Sequence, residues 1–199
     1  MGASDYAFLT RWRIEGNIRE IAEVLGEATA LPRWWPAVYL EVKELEPGGD
    51  NGLGRRIELY TKGWLPYTLR WRFVITQSDP PHGFTLAAEG DLVGTGVWTL
   101  KQDGMMVDVA YDWRIRADKA LLRYMSFLMK PMFAANHRWA MWMGEESLKL
   151  ELARREAKTP EERARVAPPP EPTPSSSVAF IRHLPRLLGG MSGGPAKRA

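Results

Sequence analysis

The chain has 199 residues, 45% apolar and 26% charged, with no cysteine. This length fits one globular domain with residues to spare, and the composition excludes a disulfide framework, a thiol nucleophile and a cysteine-based metal site. The net charge of +3 is unevenly placed: residues 1–152 hold 18 Lys/Arg against 20 Asp/Glu, and residues 153–199 hold 9 against 4. The body of the chain is therefore slightly acidic, which removes the electrostatic footing for nucleic-acid binding.

In chain order, Met1 to Tyr6 has neither the basic stretch nor the apolar run of a signal peptide. No window approaches the roughly 20 apolar residues of a bilayer span. A soluble, cytoplasmic protein is expected. Tyr6, Phe8, Thr10, Trp12 and Ile14 then alternate with Ala7, Leu9, Arg11 and Arg13, which predicts a first strand. Asn17, with Glu20 three residues on, opens a short helix that runs to about Leu25 and stops at Gly26. A second helical turn covers Ala28 to Pro36 and closes on Trp34-Trp35-Pro36. Strands are expected at 38–45, 55–62, 67–76, 83–89, 96–101 and 107–116, separated by Gly-, Pro- and Asp-rich turns.

The strand faces are legible. Tyr67, Leu69, Trp71, Phe73 and Ile75 share one side of their strand, and Val107, Val109, Tyr111, Trp113 and Ile115 share one side of theirs. Period-two alternation predicts an antiparallel sheet with one wet and one buried face. From Lys119 the pattern is helical to about Arg155, with Pro131 either kinking one helix or starting a second. At about 100° per residue, Met132, Asn136, Trp139, Ala140, Met143, Ser147 and Leu150 fall on one face. After Ala157 the composition turns to Pro, Ser, Glu and Ala. This divides the chain into a domain at 5–155 and a basic, disordered tail at 156–199. Within the tail, residues 178–188 form a short apolar-basic patch suited to weak contact with a membrane surface or a protein.

Several motifs keep this order: Trp34-Trp35-Pro36, Asp79-Pro80-Pro81, the run from Glu89 to Leu100, Tyr111-Asp112-Trp113-Arg114 and Asn136-His137-Arg138-Trp139. Over residues 5–152 the chain resembles the START-like helix-grip superfamily, which includes polyketide cyclase/dehydratase and lipid-transport proteins. The resemblance implies an α+β fold. In it a seven-stranded curved antiparallel sheet wraps around a long C-terminal helix, with two short helices between strands 1 and 2. It also implies a hydrophobic ligand held between sheet and helix, in a bacterial protein.

The candidate ligand-binding residues are Trp12, Trp34, Trp35, Tyr67, Trp71, Trp98, Tyr111, Trp113, Asn136, Trp139 and Met143. Burial in the core is by itself enough to explain each strand tryptophan, since burying one removes about 150–250 Å² from water. Asn136 needs a partner wherever it is buried, either backbone or ligand. Tyr111, Asn136 and His137 are the weak candidates for proton handling. The carboxylates Glu58, Asp91, Asp108 and Asp112 are weighed as acids, and the three on strands should face solvent. His82 and His183 have no metal-ligand spacing, so neither a metal nor a cofactor is expected. The reading is a binding domain for a small hydrophobic ligand such as a lipid, quinone or polyketide-like aromatic. The alternatives are a cyclase, aromatase or dehydratase, and a protein-interaction or regulatory module.

Overall fold

A computed structural model describes residues 5–117 and 120–173, with the backbone alone for 117 and 120–130. Strand β1 (Asp5–Glu15) is followed by helices α1 (Ile18–Gly26) and α2 (Leu31–Trp34). Six strands follow: β2 (Tyr39–Glu46), β3 (Arg56–Lys62), β4 (Thr68–Asp79), β5 (Gly83–Gly90), β6 (Leu92–Asp103) and β7 (Met106–Ala117). Helices α3 (Ala120–Glu156) and α4 (Pro160–Arg165) close the described chain. The strands form one antiparallel sheet in the order β1-β7-β6-β5-β4-β3-β2, so β1 closes the far edge against β7.

The predicted alternation governs burial. Trp71 and Phe73 of β4 and Val107, Val109, Tyr111 and Trp113 of β7 are buried, while Arg70, Arg72, Asp108 and Arg114 between them are not. The outer face carries ion pairs across strands, including Arg72 to Glu58 at 2.7 Å and Arg13 to Asp108 at 2.7 Å.

β6 begins at Leu92, earlier than the glycines suggested. Gly96 pairs with Trp113, and a Cβ there would stand 2.7 Å from the Tyr111 hydroxyl and 2.9 Å from the Trp113 ring. The large rings of β7 thus occupy the space a β6 side chain would take, and the glycine stays inside a regular strand.

α1 starts on Asn17, whose side chain accepts the Arg19 N–H at 2.8 Å; Gln102 of β6 accepts the N–H of Ile18 at 2.8 Å. Two of the orphan donors of the first turn are thus satisfied, one of them from the sheet. Helix α3 continues through Pro131 as one 37-residue element. It packs on β1, α1 and α2, so its buried surface is wider than the single stripe expected. Trp139, Met143 and Ser147 are buried as predicted, and Met141, Leu148, Glu151 and Leu152 are buried as well.

Glu151 is an unexpected core carboxylate, 2% exposed. It accepts two bonds at 2.8 Å from Arg33 of α2 and one at 3.0 Å from Arg155. Burial alone would raise its pKa; the hydrogen bonds from Arg33 and Arg155 outweigh that and hold the carboxyl below its ordinary value.

Beyond α3, Thr159 and Glu162 cap α4 reciprocally. The chain then returns toward the sheet: Arg154 donates to the Ala167 carbonyl, and Thr173 is buried beside the end of β3. A capped helix therefore stands within a segment whose composition reads as extended. We propose a domain boundary at 155/156; the patch at 178–188 lies outside the described residues. Among the described residues no helix is long and apolar enough to cross a membrane.

Candidate ligand-binding site

Two apolar cavities of about 140 Å³ each lie between the sheet and the helices. The first is floored by Phe73, Leu86, Trp98 and Leu100 and reaches the β4–β5 turn and the end of α1. The second lies under the middle of α3, with Tyr6, Phe8, Tyr67, Trp113, Phe133 and Asn136 among its walls. Trp35, Tyr39, Trp71 and Tyr111 line both and form the partition between them.

The partition is held from several directions. Trp35 follows α2 and lies against α3 at Gly144, where a Cβ would come within 2.2 Å of its ring. Tyr39 meets it edge-on, with ring centres 5.1 Å apart. Tyr111 stacks on Trp98 at 4.2 Å and on Trp113 at 5.6 Å. The Trp71 indole N–H donates to the Thr61 hydroxyl at 3.1 Å. These rings sit at fixed angles because each fills the gap left by another, as close packing requires.

Burial raises the pKa of Tyr39, Tyr67 and Tyr111, with Tyr39 adding to the shift of Tyr111 and Tyr6 to that of Tyr67. All three phenols stay neutral near pH 7, which suits them to donating a hydrogen bond rather than to acting as bases. His137 stacks on Phe8 with ring centres 4.1 Å apart. Burial, helped by the Arg138 charge, lowers its pKa to about 4. Its imidazole is neutral at pH 7, and among the described residues Nε2 has no partner. Asn136 uses its Oδ1 to accept the Leu65 N–H at 3.2 Å, tying α3 to the β3–β4 loop. Gly63 makes this possible, since a Cβ there would stand 2.1 Å from Asn136 Oδ1.

The structure sorts the sequence candidates. Trp35, Trp71 and Tyr111 line both chambers, Trp98 the first, and Tyr67, Trp113, Asn136 and His137 the second. Trp12, Trp34, Trp139 and Met143 line neither and belong to the packed core. Tyr6, Phe8 and Tyr39 were missed, although the first two share the strand face of Trp12. Lys62 carried no signal: it is buried at the end of β3 because Thr173 comes over it.

The carboxylates weighed as acids stand outside the cavities and are engaged. Glu58 pairs with Arg72, Asp108 with Arg13 and Asp112 with Arg114, and Asp91 accepts the Arg70 N–H. Among the described residues no three His, Asp or Glu side chains are grouped to hold a metal ion.

Solved structures of the same architecture are found at low identity. TTHA0849 from Thermus thermophilus is 13% identical with a TM-score of 0.57, over 72% of this chain and 97% of that one. The Zhui aromatase/cyclase from a Streptomyces species is 15% identical with a TM-score of 0.58, over 77% and 97%. The chain has the helix-grip fold. The di-domain ARO/CYC StfQ from the steffimycin biosynthetic pathway is 14% identical with a TM-score of 0.57, over 75% of this chain and 52% of that one. No family model matches the chain, and no curated protein matches it.

Proposed function

We propose that the protein binds a small apolar molecule, aromatic or isoprenoid in shape, in the paired chambers between sheet and α3. The observation that carries this reading is the partition. Four aromatic residues, two of them tyrosines, line two apolar spaces at once and separate them. Apolar space of this kind takes most of a ligand's surface, and a few polar groups orient it. Native mass spectrometry of the full chain, with solvent extraction of whatever co-purifies, is expected to find a bound apolar molecule. A ligand-free protein whose tryptophan fluorescence is unmoved by any hydrophobic probe would overturn the reading.

A cyclase-type enzyme is the second reading, favoured by the aromatase/cyclase names of two structural neighbours. Proton transfer would fall to Tyr111, Asn136 or His137. An imidazole held near 4 is a weak base at pH 7, and a phenol with a raised pKa is a weak acid. The cavity groups are thus better suited to holding a ligand than to moving its protons. Turnover of a polyketide-like substrate, lost when these three side chains are replaced, would reverse that order.

A further inference from the structure

Lys62 is the charged member of the second chamber's wall. It ends β3, it is 8% exposed, and no other lysine or arginine lines that chamber among the described residues. Its ammonium donates to the Thr173 carbonyl at 2.5 Å. Among the described residues no carboxylate forms an ion pair with it. Removing an ammonium from water is costly unless an anion or several acceptors repay it, and one neutral amide oxygen does so poorly.

The nearby polar atoms are already committed. The Thr61 hydroxyl accepts from Trp71, and Asn136 Oδ1 accepts from Leu65. The Gly63 carbonyl accepts from the Thr173 hydroxyl at 3.3 Å. Residues 166–173 thus run back from α4 to the end of β3 as a strap, with Thr173 fastened to Lys62 and Gly63, two residues of the chamber wall.

We propose that Lys62 is an anion-binding residue and that the second chamber takes an aromatic ligand bearing one carboxylate. The carboxylate replaces the Thr173 carbonyl on the ammonium, so ligand entry and release of the strap are a single event. This rests on the cavity being a ligand site, as argued above. A charge-assisted bond from ammonium to carboxylate is stronger than the bond to a neutral carbonyl that it displaces. One cation matches one negative charge, and the rings of Phe8, Tyr67, Trp113 and Phe133 suit a flat apolar body.

The test compares naphthoate with naphthylmethanol, which share the ring system and differ in charge, by calorimetric titration of the full chain at neutral pH. Naphthoate is expected to bind at least about tenfold tighter. Lys62→Met should erase that preference and Lys62→Arg should keep it. The chain has no cysteine, so a dye on Glu171→Cys reports the strap alone, and its fluorescence anisotropy should fall with naphthoate and not with the alcohol. Equal affinity of the two compounds for the unmodified protein overturns the anion site while leaving the cavity reading intact, and this comparison needs no variant to fold. A preference for naphthoate without a fall in that anisotropy overturns the coupling. Binding of neither compound overturns both the proposal and the cavity reading beneath it.

Discussion

The two chambers have the same volume and a shared aromatic wall, yet they differ in where their polar groups stand. Arg55 and Ser78, which line the first alone, are committed elsewhere. Arg55 donates to the Pro47 and Gly26 carbonyls, and the Ser78 hydroxyl donates to the Asn51 carbonyl. In the second, Lys62, Asn136, His137 and Tyr67 line the chamber itself. Size does not distinguish the chambers; the position of hydrogen-bonding groups does. On the proposed function, an amphipathic ligand is oriented with its polar end in the second chamber, because Lys62 and His137 there add hydrogen-bonding groups to the tyrosines that both chambers share.

Removing the wall should break the comparison most severely. Trp35→Ala deletes a ring that is 2% exposed and packs on Trp12, Trp34 and Tyr39. A loss of about 3–5 kcal/mol is expected in urea denaturation, with the chambers merged and longer ligands admitted. A loss under about 1 kcal/mol would mean that the wall is not part of the core.

The second effect belongs to the second chamber alone. His137 is held near 4 in the fold against 6.5 for a free imidazole, so unfolding takes up a proton between these values. Stability is fully present above about pH 6.5 and falls as the pH drops toward 4, by up to about 3 kcal/mol. His137→Phe keeps the stack on Phe8 and should flatten that part of the melting-temperature profile. A profile unchanged by the substitution would contradict the burial argument.

Asn136→Ala comes next. Losing the bond to the Leu65 N–H is expected to cost about 1–2 kcal/mol and to loosen the β3–β4 loop, read as faster hydrogen exchange around residue 65. Exchange equal to that of the unmodified chain would show the loop to be held by other contacts. The smallest effect is expected at the mouth of the first chamber. Arg55→Ala should cost under about 1 kcal/mol, because its guanidinium is partly screened by solvent. It should leave the affinity of any ligand bound in the second chamber unchanged; a weakened affinity would erase the contrast between the chambers.

Much of this was legible in the residues. Alternation along β1, β4 and β7 identifies the inward rings, because side chains in a strand point to opposite faces in turn. The Gly94–Gly96 stretch misled, since glycine reads as a break unless the β7 rings that need its space are known. Helical periodicity found Asn136, Trp139 and Met143 but missed Glu151. A carboxylate on a packing face is intelligible once Arg33, 118 residues away, is seen to pair with it. Among the site candidates, strand parity could not separate Trp98 and Trp113, which face space, from Trp12, which faces other rings. Both kinds are inward, and the difference is made by neighbours from other elements.

The sequence by itself determined the order of strands and helices, the inward face of each, and the near absence of charge on that face. These follow from local periodicity, which each segment carries alone. Whether the inward face closes completely, where the space divides, and which polar groups border it were decided by tertiary structure. Cavities are differences between the volumes of distant residues, and no segment holds that difference. Lys62 shows this most clearly: as a residue it is a charged strand end, and only the return of Thr173 over it buries it.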